Sequence, residues 1–170
     1  MTVVVGAPLR NMGSKPHLGA IVFAADGSAN TYAKMHLGGS EPIHFAAGET
    51  PVAFGVHGQT IGLAICADSS KPSHPQTYAD RGSTIYAAGV FLNAEWYATD
   101  SPRLAEYAGR LRMLVVMANQ ADSVGTYASV GKSAIWAPDG TLLAEAPGTE
   151  SCLVIATQIQ KTWRGTVVAM

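Results

Sequence analysis

Charge is scarce in this sequence: only 14% of its 170 residues are Asp, Glu, Lys or Arg, against about a quarter in an average soluble protein. The net charge is −1 and the basic residues form no cluster. This excludes the electrostatic footprint of a nucleic-acid binder or of a protein held on an anionic membrane. No apolar run approaches the roughly 18 residues of a membrane span. The opening Met-Thr-Val-Val-Val-Gly-Ala-Pro lacks the basic region and cleavage site of a signal peptide. There are two cysteines, Cys66 and Cys152, enough for one bridge. Without an export signal, free thiols in a reducing cytoplasm are expected. CxxC and HExxH motifs are missing and the five histidines are scattered, so neither a metal nor a resident cofactor is expected.

What the sequence does have is apolar mass. Hydrophobic residues make up 48%, with 18 glycines besides, which suits one domain over residues 1–170 built on well-buried sheets. Strands are predicted at Val3–Val5, Leu18–Ala24, Val52–Val56, Gln59–Cys66, Thr84–Ala88, Met113–Ala118, Val130–Trp136, Thr141–Ala144 and Ser151–Thr157, the last clear one. A returning segment, Asn30–Leu37, puts Tyr32, Lys34 and His36 on one face, and Glu41–Gly48 reads as loop. One helix is expected at 74–81, with Pro75 in its first turn and Gly82 after its end. A polar-aromatic loop, Asn93–Ser101, should precede a second helix opened by Pro102, with Leu104, Tyr107, Ala108 and Leu111 along one stripe.

Cys66 stands where an apolar strand stops and the chain turns towards a helix. Buried structural cysteines are common, but a helix N-terminus or nearby ammonium activates a thiol as nucleophile. Lys34 is the candidate ammonium; the competing reading is an edge-strand lysine covering apolar surface. A Cys–His pair using His36 or His74 is a second mechanism. Cys152, inside an apolar strand, reads as inert core.

Tyr32-Ala-Lys34-Met-His-Leu37 with Glu41, then Ile61-Gly-Leu-Ala-Ile-Cys66-Ala-Asp68, resembles the lysine and cysteine blocks of the nitrilase (carbon–nitrogen hydrolase) superfamily. Val3-Val-Val-Gly-Ala-Pro8 and Gly19–Gly27 resemble the strands before them. Val116-Met-Ala-Asn119-Gln120 and Gly131–Gly140 resemble those after. The resemblance implies an α/β fold, the α-β-β-α sandwich, and a Glu–Lys–Cys triad. Cys66 would attack an amide or nitrile carbon to form a thioester or thioimidate. Lys34 and the backbone N–H of Ala67 would hold the developing oxyanion, with Glu41 supporting the lysine. Glu95, Trp96 and Asn119 are the candidate pocket residues.

In that family the glutamate acting as base precedes the strand matching Val3–Val5, where here only Met1 and Thr2 stand. The sandwich is therefore expected to be N-terminally incomplete and catalysis impaired. A homo-oligomer acting on a small amide or nitrile is the partner expectation, and a non-catalytic assembly or regulatory module is the rival.

Overall fold

The computed structural model describes residues 1–13 and 15–170. Strands β1 (Val3–Leu9), β2 (His17–Phe23) and β3 (Ala29–Ala33) form an antiparallel sheet in that order. One helical turn follows, α1 (Glu41–His44). Strands β4 (Ala53–Val56) and β5 (Gln59–Ile65) are paired around His57-Gly58. After β5 come a 3₁₀ turn (Cys66–Ser70), α2 (Ser73–Asp80), β6 (Ile85–Val90), α3 (Ala94–Leu111), β7 (Leu114–Asn119), β8 (Ala134–Trp136) and β9 (Leu142–Glu145). These build a six-stranded sheet in the order β4-β5-β6-β7-β8-β9, parallel between β5, β6 and β7. The chain ends in a hairpin of β10 (Cys152–Ile159) and β11 (Thr162–Ala169).

Strand parity decides what each face of the large sheet buries. Ala64 of β5, Tyr86, Ala88 and Val90 of β6, and Val115 and Met117 of β7 point one way, into a core shared with Tyr78 of α2 and Leu104, Tyr107 and Ala108 of α3. The alternate residues point the other way. Leu63 and Ile65 pack with Val22 and Tyr32 of the small sheet. Ile85, Leu114 and Ile135 pack with Val154, Ala156 and Trp163 of the hairpin. The layers are thus α-β-β. The outer face of the small sheet, with Val3, Val5 and Phe23 exposed, carries no helix among the described residues.

The parallel strands and α2 lie close to where the pattern puts them, and three elements differ. Asn93–Ser101 is not a loop: α3 begins at Ala94, capped by Asn93 Oδ1, which accepts the Trp96 N–H at 2.9 Å. The cap decides the start, and Pro102 falls inside the helix, where it costs one backbone hydrogen bond. Glu41–Gly48 is not all loop, since Glu41–His44 winds one turn with Pro42 at its head. The strand at the C-terminal end has an unpredicted partner in β11. Its turn is made by Gln160 and Lys161, both in the left-handed region (φ 48° and 67°), without the glycine that signals such a turn. Cys152 is half-buried rather than inert core.

Candidate active site

Strand β3 ends at Ala33, and the next residue turns inward. The Lys34 side chain is 1% exposed, so the edge-strand reading of this lysine does not hold. A buried ammonium needs a partner. It has one in Glu41, whose Oε1 and Oε2 both lie 2.7 Å from Nζ. Glu41 also accepts the Gly38 N–H at 2.8 Å, so α1 and the preceding turn exist to bring a carboxylate back over the lysine. Two of the three ammonium protons are spent there.

The cysteine stands at the end of β5 in the left-handed region, φ 47°, a conformation strained for a residue with a Cβ. The 3₁₀ turn it opens is pinned by Ser69 Oγ on the Cys66 carbonyl and Ser70 Oγ on the Ala67 carbonyl, each 2.8 Å. Gly38 packs against Ala67 so closely that a Cβ at position 38 would come within 3.3 Å of the alanine methyl. The residue after the cysteine therefore adjoins the turn that carries Glu41.

Asp68 ties these pieces together. It is wholly buried, and five donors reach its carboxylate. Oδ1 faces the backbone N–H groups of Met35 (3.2 Å) and His36 (2.8 Å) and Nδ1 of His36 (3.1 Å). Oδ2 accepts the Tyr32 hydroxyl (2.7 Å) and the Ile65 N–H (2.9 Å). Residues 32, 35 and 36 bracket Lys34, and Ile65 precedes Cys66. One carboxylate thus grips both strand ends on which the expected chemistry stands.

Behind it lies a chain of neutral groups whose direction is fixed by proton counting. The Tyr32 hydroxyl has one proton and donates it to Asp68. Its oxygen must then accept from His74 Nε2, 3.0 Å away. That sets the Nε2–H tautomer, so Nδ1 accepts the Tyr86 hydroxyl at 2.9 Å. Every link points towards Asp68. Burial pushes the Tyr32 and Tyr86 hydroxyls far above their usual range, with Asp68 adding to it. The His74 imidazole is pushed down to about 4, first by burial and then by His36, against the opposing pull of Asp68.

This histidine makes the fold acid-sensitive. The unfolded chain binds a proton near pH 6.5 that the folded chain refuses until about 4. The stability from keeping His74 neutral is therefore complete above 6.5 and drains away as pH falls towards 4. We expect about 2 kcal/mol of unfolding free energy to be lost between pH 7 and 4.5. Denaturant titration at stepped pH checks this, and His74→Gln should flatten the slope in that window.

His36 Nδ1, Asp68 Oδ1 and His74 Nε2 lie within 4.8 Å of one another, a spacing that could hold a divalent ion. Their hydrogen bonds argue otherwise. His74 Nε2 carries its proton towards Tyr32, and the Asp68 oxygen faces three donors already. The same bonds tell against His74 as the base of a Cys–His pair, since both its ring nitrogens are committed to tyrosine hydroxyls, while His36 has Nδ1 on Asp68.

The pocket candidates share no hydrogen bond with this knot among the described residues. Glu95 and Trp96 are exposed on the first turn of α3, and Trp96 stacks on Tyr127 with ring centroids 6.1 Å apart. Asn119 is buried at the end of β7. Its amide accepts the Leu92 N–H (2.8 Å) and donates to the Leu92 (3.2 Å) and Gly131 (2.5 Å) carbonyls, so it braces the strand ends. The pattern does not single out Asp68, Tyr32 or Tyr86 as site residues, and it names His74 only as the base of the alternative Cys–His pair. Asp68 leaves a signal as a carboxylate two places after the cysteine.

A carbon-nitrogen hydrolase family model matches residues 1–166. Among solved structures, an amidase from Nesterenkonia sp. matches the whole chain at 21% identity with a TM-score of 0.81. The glutamine-dependent NAD+ synthetase from Acinetobacter baumannii, in complex with ADP, matches 96% of it at 19% identity with a TM-score of 0.88. At such identity the likeness is one of fold. The chain covers 61% of that amidase and 33% of that synthetase. Mutants of the Nesterenkonia amidase are also described, one in complex with butyramide and another showing Michael addition of acrylamide at the active site cysteine. No curated protein matches.

Proposed function

The chain belongs to the carbon–nitrogen hydrolase family, and from that premise we propose that it is an amide-directed thiol hydrolase with Cys66 as nucleophile and Lys34 as electrophilic partner. The observation that carries the reading is the Asp68 knot. It bonds residues 32, 35 and 36 on one side and residue 65 on the other, so the cysteine and the buried lysine share one rigid support.

In this mechanism the Cys66 sulfur attacks the amide carbon and the C=O π electrons move onto oxygen. The third N–H of Lys34 and the Ala67 N–H stabilise that oxyanion. With the thiol's proton transferred to the nitrogen, collapse of the oxyanion expels ammonia and leaves a thioester on Cys66. Water then attacks the thioester, releasing the acid and the thiol. A nitrile would enter the same sequence through a thioimidate. Small aliphatic amides are the first substrates to try, because a mutant of the Nesterenkonia amidase is described with butyramide.

The base is the weak point of this constellation. Glu41 is engaged with Lys34, and Asp68 faces five donors. Neither is free to take the thiol proton, and Glu95 is exposed on another element. We therefore expect the 170-residue chain to acylate slowly and turn over poorly. Ammonia release from butyramide, beside intact-mass detection of a thioester trapped at early times, is the test. A trapped adduct with turnover of at most about one per hour fits a triad lacking its base. Sustained turnover within the usual enzyme range of about 1 per second or faster would overturn the reading that no carboxylate of this site is free to act as base. No adduct at all, with the amide in excess, would count against Cys66 as nucleophile.

Two further parts of the reading are also proposals. Residues on the first turn of α3, Glu95 and Trp96, would border the substrate. A homo-oligomer would cover exposed sheet residues such as Val3, Val5 and Phe23. No helix among the described residues is long and apolar enough to cross a membrane.

A further inference from the structure

We propose that Asp68 is a positioning residue. Gripped from behind by the relay Tyr86–His74–Tyr32, it sets the distance between the Cys66 thiol and the Lys34 ammonium. This rests on the function proposed above and adds to it a group that touches no reacting atom.

A carboxylate needed only to terminate the 3₁₀ turn would bond to the Ile65 N–H and stop. Asp68 spends one oxygen on that turn and on Tyr32, and turns the other to the backbone just beyond Lys34, at Met35 and His36. The two oxygens of one rigid planar group therefore fix two strand ends relative to each other. Each end also has backbone partners of its own, Lys34 with Leu18 and Gly48 at 2.8 Å each and Ile65 with Gly89, but those bonds do not join the two ends to each other, and the Asp68 carboxylate does. Gly38 against Ala67 is a further contact across the gap.

The relay explains why this carboxylate is stiff. Tyr32, His74 and Tyr86 are all at most 3% exposed. They come from β3, α2 and β6, so the carboxylate is referenced to the small sheet, the helix layer and the large sheet together. The one-way bonding leaves Tyr32 no alternative acceptor without leaving His74 Nε2–H unpaired, and a buried unpaired donor is costly. Asn at position 68 would turn an NH₂ group towards donors on one of its two sides, whichever way the amide is flipped, and so break the bridge while keeping the shape.

The test is a double-mutant cycle read on the thiol, in a Cys152→Ser background so that iodoacetamide reports Cys66 alone. At pH 7, Lys34→Met should slow alkylation. Asp68→Asn should slow it about tenfold with Lys34 present and less than about twofold with Lys34→Met. Tyr32→Phe, which keeps the ring and removes one donor, should follow the same pattern with about a threefold effect. Leu114→Ala, in the core against the hairpin, supplies a destabilised control whose alkylation rate should not move.

Equal slowing by Asp68→Asn in both lysine backgrounds would show a merely structural residue and overturn the proposal. So would slowing of the same size in Leu114→Ala. Should Asp68→Asn lose its cooperative unfolding transition, Tyr32→Phe decides by the same criteria. If instead the Cys152→Ser parent reacts no faster than a free cysteine peptide and Lys34→Met changes nothing, the nucleophile assignment itself has failed, and the positioning role falls with it.

Discussion

Cys66→Ala is expected to bring the rate of thioester formation from a short aliphatic amide down to background, a loss of about 10³-fold or more, with the unfolding transition nearly unmoved. The size follows from the chemistry: without sulfur the covalent path has no first step, and only binding and the oxyanion donors remain. The fold should tolerate the change because the cysteine is only partly buried and its hydrogen bond runs through the backbone carbonyl to Ser69. Single-turnover mass spectrometry measures it.

Lys34→Met should fall by a smaller factor, about 10²-fold, the usual cost of losing one oxyanion donor. It should also lower stability, since Glu41 loses its counter-ion and keeps the Gly38 N–H. Equal rates in parent and Cys66→Ala would remove the cysteine from the mechanism.

The second large effect is on stability. Gly131 has φ 63°, and a Cβ there would run into the Gly148 carbonyl oxygen and lie 2.5 Å from its carbon and 2.9 Å from Thr149 N. All three are backbone atoms, which cannot swing aside as a side-chain tip can. The Gly131 carbonyl also receives the Asn119 amide, so a shift at 131 loosens the brace between β7 and the loop that meets it.

Gly131→Ala should therefore cost about 3–5 kcal/mol, from the left-handed backbone and the overlap combined. For a chain of this size that corresponds to a fall of roughly 10 °C or more in Tm. Gly148→Ala is the control: a Cβ there meets nothing within 4 Å, and its melting should stay within a few degrees of the parent. Calorimetry on the two variants checks the contrast, and matched melting temperatures would remove the overlap argument.

How much of this could be read beforehand depended on how local the signal was. The parallel strands β5, β6 and β7 declare themselves as apolar runs, because a strand buried on both faces has no polar period to hide it. Cys66 and Lys34 showed as two chemically capable residues in ordered blocks. Their common anchor did not, because Asp68 is joined to Tyr32 and His36 across 36 and 32 residues of chain, and sidedness along one strand says nothing about a partner on another. The start of α3 lies before Pro102, where the pattern opens the helix, because the Asn93 side chain caps the first turn by accepting the Trp96 N–H and the proline inside the helix removes only one bond. The β10–β11 turn escaped because Gln160 and Lys161 accept a backbone that ordinarily advertises itself with glycine or asparagine.

The backbone at Cys66 places two demands on one position. With φ at 47°, the residue that costs the chain least there is glycine, which carries no sulfur at all. Selection for stability and selection for reactivity thus point to different amino acids at the same site. On the proposed mechanism the position the chemistry would use is therefore one that the fold alone would give to glycine.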